Sequence, residues 1–551
     1  MRFIKLMRGP PTDRLSSWKA VAAYLDCSVR TVRRWERAEG LPVHRHVHHK
    51  LGRVFALRTE LDAWRQSRAR SPDPTFRPAS AAVAASSRSI AVLPFASPGS
   101  DAQDDYFADG LTEEVTIALA RVQALQVTSR RSAAAFRTTR AGAKAIAGRL
   151  GVRYLVEGSV RRAGVRLRVS AQLIDASQDV HCWAGNYNGT IEDVFSIHEQ
   201  IARKIVAALE VRLSANEERD LSERAINSIP AYECYLRARH EMWRWRSDSI
   251  DRAVQLLREA LAIIGENARL YGALGLAHLQ YREAGIDLSD IPLVEADTCA
   301  SKLFALEKHS SSGWQLRGWI AYSRGYIQDA VRALKVALEL DPNNSDTLLL
   351  LCNCYLISGR VAAARPLLAR LLAVDPLTPI TRCMPGFAEI MEGNLEAAIE
   401  PYRQMFEMDP LNPMARLFYV WVLTLNRQHD AVDALLQTAP SEQRDTLPAR
   451  ISFFLASAAV GRSREAEAEL TPQIKAIARA TDVFPRFLAQ GFAMAGVRES
   501  AVQWLQVAVD RGFVNYPFLA RHDPSFETLR GDSAFKALLE TARRRWQCFE
   551  A

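Results

Sequence analysis

The sequence predicts a multidomain protein in three parts: a small helical head with a β wing, then an α/β sandwich domain, then an all-α solenoid of repeated helix pairs. Three observations carry this prediction. Positive charge is concentrated at the start of the chain, strand patterns alternate with helix patterns after it, and a period of 34 residues runs through the second half. A chain of 551 residues is too long to fold around one hydrophobic core, so several domains are expected.

The basic charge of the chain belongs to its first module. Residues 1–70 contain 16 Lys and Arg against 6 Asp and Glu, whereas residues 71–551 contain 55 against 56. The formal net charge of +9 at pH 7 therefore arises in the head and not in the rest of the chain. A compact basic module on a nearly neutral body is the charge distribution typical of a DNA-binding domain.

The predicted head occupies residues 14–68. Apolar residues at helical spacing predict a first helix over 18–25 and a second over about 29–38. Ser17 and Ser28 are their expected N-caps, because a serine hydroxyl accepts a hydrogen bond from an unpaired N–H of the first helical turn. The second helix would turn its apolar residues inwards and its arginines outwards.

Strand character over residues 43–57 predicts a two-stranded wing, followed by a short closing helix. The head thus contains the runs WKAVAAYLDCSVRTVRRWERAEGLPVHRH and GRVFALRTELDAW. This order of elements resembles the winged helix-turn-helix of the MerR and excisionase class. The resemblance implies that the second helix enters the major groove of double-stranded DNA and that the wing contacts its backbone or minor groove. The residues it assigns to DNA are Ser28, Arg30, Thr31, Arg33, Arg34, Arg37, Lys50 and Arg53. The alternative is an arginine-rich helix that only solvates the head.

The predicted wing is rich in histidine. Alternation at His44, His46 and His48 places three imidazoles on one strand face, a set that could bind zinc or sense pH. No cysteine or carboxylate ligand adjoins them, so we favour imidazoles that face DNA phosphates or water. We predict no metal and no cofactor for the chain.

Residues 69–88 are rich in Pro, Ala and Ser and predict a flexible linker. The domain over 89–213 alternates strands with helices and then has three consecutive strands, with a tight turn at Ala163-Gly164. A long helix over 192–213 is expected to close the domain. We expect an acidic loop before a helix that starts at Leu111, so that Glu113 and Glu114 lie in its first turn, where they favour the helix dipole. The loop residues are Asp101, Asp104, Asp105 and Asp109. A metal site in this loop is the less favoured alternative, because no second ligand cluster accompanies it.

The middle domain contains the runs IAVLPF, YFADGLTEEV, YLVEGSVRRAGVRLRVSAQLIDA and HCWAGNY. These runs resemble the TolB-like or FlgO-like domain. In many bacterial proteins that domain lies beside tetratricopeptide repeats and sometimes beside a nucleotide cyclase domain. The resemblance assigns it no defined biochemical role.

The region over 228–545 is predicted to be a tetratricopeptide repeat solenoid with a carboxy-terminal cap. Glycine recurs between the helices of a pair, alanine recurs inside the second helix, and Asp-Pro follows it. The residues at this 34-residue step are Gly325, Gly359 and Gly393; Ala330, Ala364 and Ala398; and Asp341, Asp375 and Asp409, each followed by Pro. Stacked helix pairs form a concave groove, so we expect a protein or peptide partner there.

Two functions remain open. The first is a cytoplasmic transcriptional regulator that binds DNA, expected as a homodimer on a two-fold site, with the TolB-like domain and the repeats serving protein interaction or signal input. The alternative is a repeat scaffold that does not bind DNA and works in a cyclase-like signalling system. No enzyme is predicted, because the sequence lacks a phosphate-binding loop and known catalytic motifs. No apolar run approaches the roughly 20 residues of a membrane span, so no membrane contact is expected.

Overall fold

The computed structural model describes residues 14–25, 29, 32, 36, 41–46, 53–62, 88–97, 102–139, 141–222, 226–242, 244 and 246–551. The chain divides into two compact units, Met1–Val83 and Ala84–Ala551. No helix among the described residues is long and apolar enough to cross a bilayer.

The first unit combines one described helix with a small antiparallel sheet. Helix α1 (Trp18–Tyr24) is capped by Ser17, whose hydroxyl accepts a hydrogen bond from the N–H of Ala20 at 3.1 Å, as the sequence predicts. The sheet has the order β1-β3-β2, and its strands are Arg14–Leu15, His44–His46 and Arg53–Leu57 for β1, β2 and β3. The pairing of β2 with β3 gives the expected hairpin, while the two-residue β1 is too short for the sequence pattern to reveal.

The second unit begins with a five-stranded sheet of order β5-β4-β6-β7-β8. Strand β4 pairs in parallel with β5 and β6, and β6, β7 and β8 form an antiparallel meander. The strands are β4 (Ser89–Val92), β5 (Gln126–Val127), β6 (Tyr154–Ala163), β7 (Arg166–Asp175) and β8 (Val180–Thr190). The turn between β6 and β7 uses Gly164 at φ +60°, as expected for a tight hairpin.

Helices cover this sheet unevenly. Helices α2 and α5 pack on one face and share a core with Val160, Val169 and Leu173. Helix α4 covers the opposite face only near β4 and the start of β6, where Ile146 and Leu150 contact the sheet residue Leu155. The four helices of this part are α2 (Ala102–Ala120), α3 (Arg130–Ala134), α4 (Ala143–Leu150) and α5 (Val194–Ala208).

The prediction of an acidic loop before Leu111 is wrong, because the chain is helical from Ala102 onwards. Asp104, Asp105 and Asp109 therefore lie on α2, and Asp101 lies outside the described residues. Gly110, which the sequence pattern placed ahead of the helix, lies inside it. A Cβ at this position would come within 2.5 Å of Leu236, so the glycine allows a close approach of two helices.

Two further expectations need correction. Glu113 and Glu114 lie in the middle of α2 and not in its first turn, so they cannot act on the helix dipole. The closing helix expected over 192–213 is α5, which ends at Ala208; Glu210 has φ +52°, and a separate helix α6 (Ala215–Ser222) follows. A left-handed residue cannot continue an α-helix, which explains the break.

The rest of the unit is an array of antiparallel helix pairs. Gly325, Gly359 and Gly393 follow the first helix of successive pairs at φ +81°, +68° and +90°, which explains the glycine at that repeat position. The earlier helices are α7 (Ile229–Met242), α8 (Ser247–Ile264), α9 (Ala268–Glu283), α10 (Ile291–Leu306), α11 (Ser311–Ser323), α12 (Ile327–Leu340), α13 (Ser345–Ile357) and α14 (Val361–Val374). The later helices are α15 (Pro379–Glu392), α16 (Ile399–Met408), α17 (Pro413–Leu425), α18 (His429–Gln437), α19 (Leu447–Ala459), α20 (Ser463–Glu469), α21 (Pro472–Ala480), α22 (Phe484–Met494), α23 (Arg498–Asp510) and α24 (Ser533–Gln547).

The array closes on its own carboxy-terminal part. The N–H of Val514 donates to the carbonyl of Ile357 at 3.1 Å, and Trp421 Nε1 donates to Gln490 Oε1 at 2.8 Å. The larger hydrophobic core of this region includes residues from Ile327 to Phe549, and a smaller separate cluster is formed around Val420 and Leu436. The inner surface of the later repeats is thus occupied by α22, and the open part of the groove lies with the earlier repeats.

Candidate protein-binding groove

One connection between the α/β part of the second unit and the repeats lies at the loop that follows α14. Asp375, from the Asp-Pro pair at the end of α14, is buried and accepts a hydrogen bond from Ser132 Oγ at 2.6 Å and another from Ser129 Oγ. The N–H of Leu377 in turn donates to Ser132 Oγ at 2.8 Å. A repeat residue expected only to end a helix therefore also anchors α3.

Buried ion pairs make a second connection, between α2 and the first repeats. Glu113 Oε1 lies 2.6 Å from Arg239 Nη2 on α7, and its Oε2 lies 2.5 Å from Arg130 Nη1. Glu114 Oε1 lies 2.8 Å from Arg269 Nη2 on α9. Both carboxylates are less than 10% exposed, so these charges require their partners.

The two neighbouring glutamates respond differently to this environment. Burial raises the pKa of Glu113, but the cations of Arg239 and Arg130 outweigh it and hold that pKa below its usual value. Burial also raises the pKa of Glu114. The cation of Arg269 does not offset this rise, partly because the like charge of Glu113 adds to it, so the pKa of Glu114 stays above its usual value. The ionised form of Glu113 is therefore the one that the fold stabilises.

A cavity of about 1370 Å³ lies beside these ion pairs. Helices α2 and α3 form one wall, and the first helices of three repeats, α7, α9 and α11, form the other, with the loop 341–346 at one end. The lining mixes apolar side chains such as Leu276 with amides such as Gln315. Small-molecule pockets typically occupy about 300–1,000 Å³. The cavity therefore has room for a segment of polypeptide.

One end of the groove has an acidic character. Glu283 lines this end of the groove and is exposed to solvent. Desolvation by the surrounding protein, together with the like charges of Asp346 and Asp482, raises the pKa of Glu283 above its usual value. Asp346 is itself paired with Arg131 Nη1 at 2.8 Å. A positively charged group in the groove would relieve the repulsion among these carboxylates.

The structure leaves the predicted DNA contacts untested. Arg53 lies on β3, but its side chain is not among the described atoms. The other assigned residues lie outside the described residues: Ser28, Arg30, Thr31, Arg33, Arg34, Arg37 and Lys50. Val29 and Val32 are helical, and Val32 is fully buried in the head, consistent with the inward face expected of the second helix.

The histidines of the wing are only partly described. His44 Nε2 lies 2.6 Å from Glu60 Oε2, and its ring stacks on Phe55. His48 and His49 lie outside the described residues. Among the residues searched, those that the structure describes, no group of three potential metal ligands comes together.

Sequence reasoning missed the residues that build the groove. Arg239 and Arg269 resemble solvent-facing residues of amphipathic helices, and their partners Glu113 and Glu114 lie in another part of the chain. The only signal was a pair of adjacent carboxylates next to the apolar residues Val115, Ile117 and Leu119, where burial requires cations. Periodicity within one element cannot identify a partner in another element.

Comparisons with known proteins agree with the repeat architecture. A family model described as tetratricopeptide repeat matches residues 321–380. A stretch of 191 residues, 35% of this chain, is 37% identical to the Rhizobium meliloti (strain 1021) protein named "Putative adenylate cyclase 3", of which it covers 32%. A second stretch of 155 residues, 28% of this chain, is 26% identical to the Arabidopsis thaliana protein named "Protein CTR9 homolog", of which it covers 14%.

The chain thus spans about a third or less of the length of these curated relatives. Among solved structures, a thermophilic tetratricopeptide repeat protein of Thermus thermophilus is 20% identical over 34% of this chain and 97% of that chain, with a TM-score of 0.29. The repeat period, the helix pairs and the family match lead to one conclusion: the chain contains a tetratricopeptide repeat array.

Proposed function

We propose that this chain is an interaction scaffold whose repeat groove binds a segment of another protein. The observation that carries the proposal is the cavity of about 1370 Å³ between α2 and the inner helices of the first repeats. The ion pairs on α2 and the anchor at Asp375 hold both walls, so the groove is formed before a partner arrives. A pre-formed site loses less conformational entropy on binding.

We further propose that the scaffold works in a signalling system of the cyclase type. The support is the relative named as an adenylate cyclase, which is 37% identical to this chain over 191 residues. The shared stretch covers 32% of that relative, so the similarity supports a common module and not a common activity. No enzymatic activity is proposed for this chain.

A peptide selection tests the groove. Random peptides displayed on phage would be selected on the immobilised full chain, and the dissociation constants of the recovered peptides would be measured by fluorescence anisotropy. We expect Glu283→Lys to weaken the binding of the recovered peptides about tenfold, because it places a positive charge inside the groove. Glu339→Lys makes the same substitution at an exposed position of α12 and should leave the affinity of these peptides unchanged. Equal losses with both variants, or failure to recover any peptide, would contradict the proposal.

The charge of the head favours a second candidate function, in which this unit binds DNA. Residues 1–70 hold 16 basic against 6 acidic residues, a concentration suited to neutralising phosphates. The full chain would be titrated with DNA from upstream of its own gene and with scrambled DNA over a salt series. We expect a preference for the native fragment that Arg33→Ala and Arg34→Ala abolish, whereas the control Arg464→Ala retains it. Equal binding to both DNAs would reduce the head to a basic patch.

A further inference from the structure

Strand β8 is an open edge of the five-stranded sheet. It is the last strand in the order β5-β4-β6-β7-β8, and within the described part of the chain no strand pairs with its outer side. Its eleven residues, VHCWAGNYNGT, contain no proline and no Lys, Arg, Asp or Glu. Natural proteins usually protect edge strands with such residues. The pairing of β8 with β7 is irregular only between Leu173 and Ile174 of β7. From Trp183 of β8 onwards the pairing is regular.

The hydrogen-bond pattern identifies which groups the open edge offers. The N–H of Ile191 donates to the carbonyl of Val165 at 2.9 Å. In an antiparallel ladder the bonded pairs alternate, so the N–H and C=O groups of Ala184, Asn186 and Asn188 point away from β7. The N–H of Thr190 agrees with this assignment, because it donates to the side chain of Asp193 and not to the ladder. These three residues thus present backbone groups that no described residue uses.

The face that carries these residues is also strongly basic. Arg161 on β6 and Arg166 and Arg168 on β7 are exposed on the face opposite α2 and α5, the same face as the side chains of Asn186 and Asn188. The side chains of these three arginines make no ion pair or hydrogen bond with any residue that the structure describes, although their backbones belong to the β6-β7 ladder. The only carboxylate on this face of β6 is Glu157, which accepts a hydrogen bond from Gln172.

The arrangement of the arginines is unfavourable for the isolated sheet. Arg161 and Arg168 are direct cross-strand partners, and like charges in that position repel each other. A bound anion would remove this repulsion. The two large aromatic side chains of β8, Trp183 and Tyr187, on which nucleotide bases could stack, lie on the face opposite the arginines.

We propose that β8 accepts an added β-strand from an acidic protein segment. The backbone of the segment pairs with the outward groups of Ala184, Asn186 and Asn188, and its carboxylates lie over the arginine-bearing face. Neighbouring strands are about 4.8 Å apart, so the added strand runs about 10 Å from β7, within the combined reach of arginine and glutamate side chains. This surface is separate from the repeat groove, and the two can be tested independently.

The test uses a fluorescein-labelled peptide of four Glu-Val repeats, titrated with the full chain and followed by anisotropy. We expect this peptide to bind at least tenfold more tightly than a peptide of four Lys-Val repeats. Arg168→Glu should weaken the Glu-Val peptide at least tenfold. The control Arg464→Glu, on the exposed side of α20, makes the same charge change and should alter its affinity less than twofold.

Two modified peptides separate strand pairing from general charge attraction. N-methylation of all Glu residues, or of all Val residues, blocks hydrogen bonding along one edge of the peptide without altering its charge. Strand addition predicts that one of these peptides loses binding and that the other keeps it. The proposal is overturned if the two N-methylated peptides bind equally. It is also overturned if Arg168→Glu has no effect because the basic head binds the peptide instead. A third contradicting result would be that single-stranded DNA of equal charge binds the same arginines with higher affinity.

Discussion

The ion pair between Glu113 and Arg239 allows a quantitative prediction for Glu113→Gln. This substitution keeps the shape of the side chain and removes its charge, leaving Arg239 and Arg130 without their shared carboxylate. Removal of one partner from a buried pair typically costs about 3–5 kcal/mol. The arginine side chains are 22% and 14% exposed, so water compensates in part and we take the lower end, about 3 kcal/mol.

Urea unfolding followed by tryptophan fluorescence measures this cost. With a slope of about 3 kcal/mol/M, a loss of about 3 kcal/mol lowers the unfolding midpoint by about 1 M. The midpoint is the better readout, because a chain with two compact units need not unfold in one step. Glu339→Gln, at an exposed position, serves as the control and should move the midpoint by less than about 0.2 M. A shift of that small size for Glu113→Gln would refute the structural role of the pair.

Three further predictions follow from the same unit. The pKa of Glu113 is lower in the folded state than its unfolded value near 4.5, so ionised Glu113 stabilises the fold above that pH and the stabilisation is lost as the pH falls through the folded pKa. Between pH 6 and pH 3 the urea midpoint of Glu113→Gln should therefore fall less than that of the parent protein. Asp375→Ala leaves several buried hydroxyls without an acceptor and should lower the free energy of unfolding by about 3 kcal/mol. Trypsin should cleave this variant between α3 and the repeats faster than it cleaves the control Asp409→Ala. Gly359→Ala meets Asn515 at 2.7 Å and should lower the thermal midpoint more than Gly461→Ala, where φ is also positive but the space is open.

The sequence was sufficient for features that depend on local pattern. The 34-residue period predicted the helix pairs, and the glycine turns of the array have the positive φ that their position requires. Ser17 as a cap and the hairpin at Gly164 were predicted because each depends on a few neighbouring residues. A concave groove in the repeat array was predicted, but the helices that line its open part were not.

Features that depend on contacts between distant segments could not be predicted. Gly110 resembles a helix boundary in the sequence, whereas its role is to let Leu236 approach α2. Asp375 resembles its repeat equivalents Asp341 and Asp409, but it alone receives the hydroxyls of Ser129 and Ser132. A residue can keep its repeat position and acquire a new contact, and only the three-dimensional arrangement shows which copy has done so.

The closure of the array on its own tail has a consequence for how the chain folds. An ordinary solenoid has contacts only between neighbouring repeats, so it can grow one repeat at a time. Here the carbonyl of Ile357 receives the N–H of Val514, and Arg360 donates to the carbonyls of Trp546 and Phe549. During synthesis the middle repeats therefore expose apolar surface until residues 514–549 have left the ribosome. Contacts of such long sequence separation make folding slow and cooperative, and a chain that stops short of Trp546 would be a substrate for chaperones and proteases.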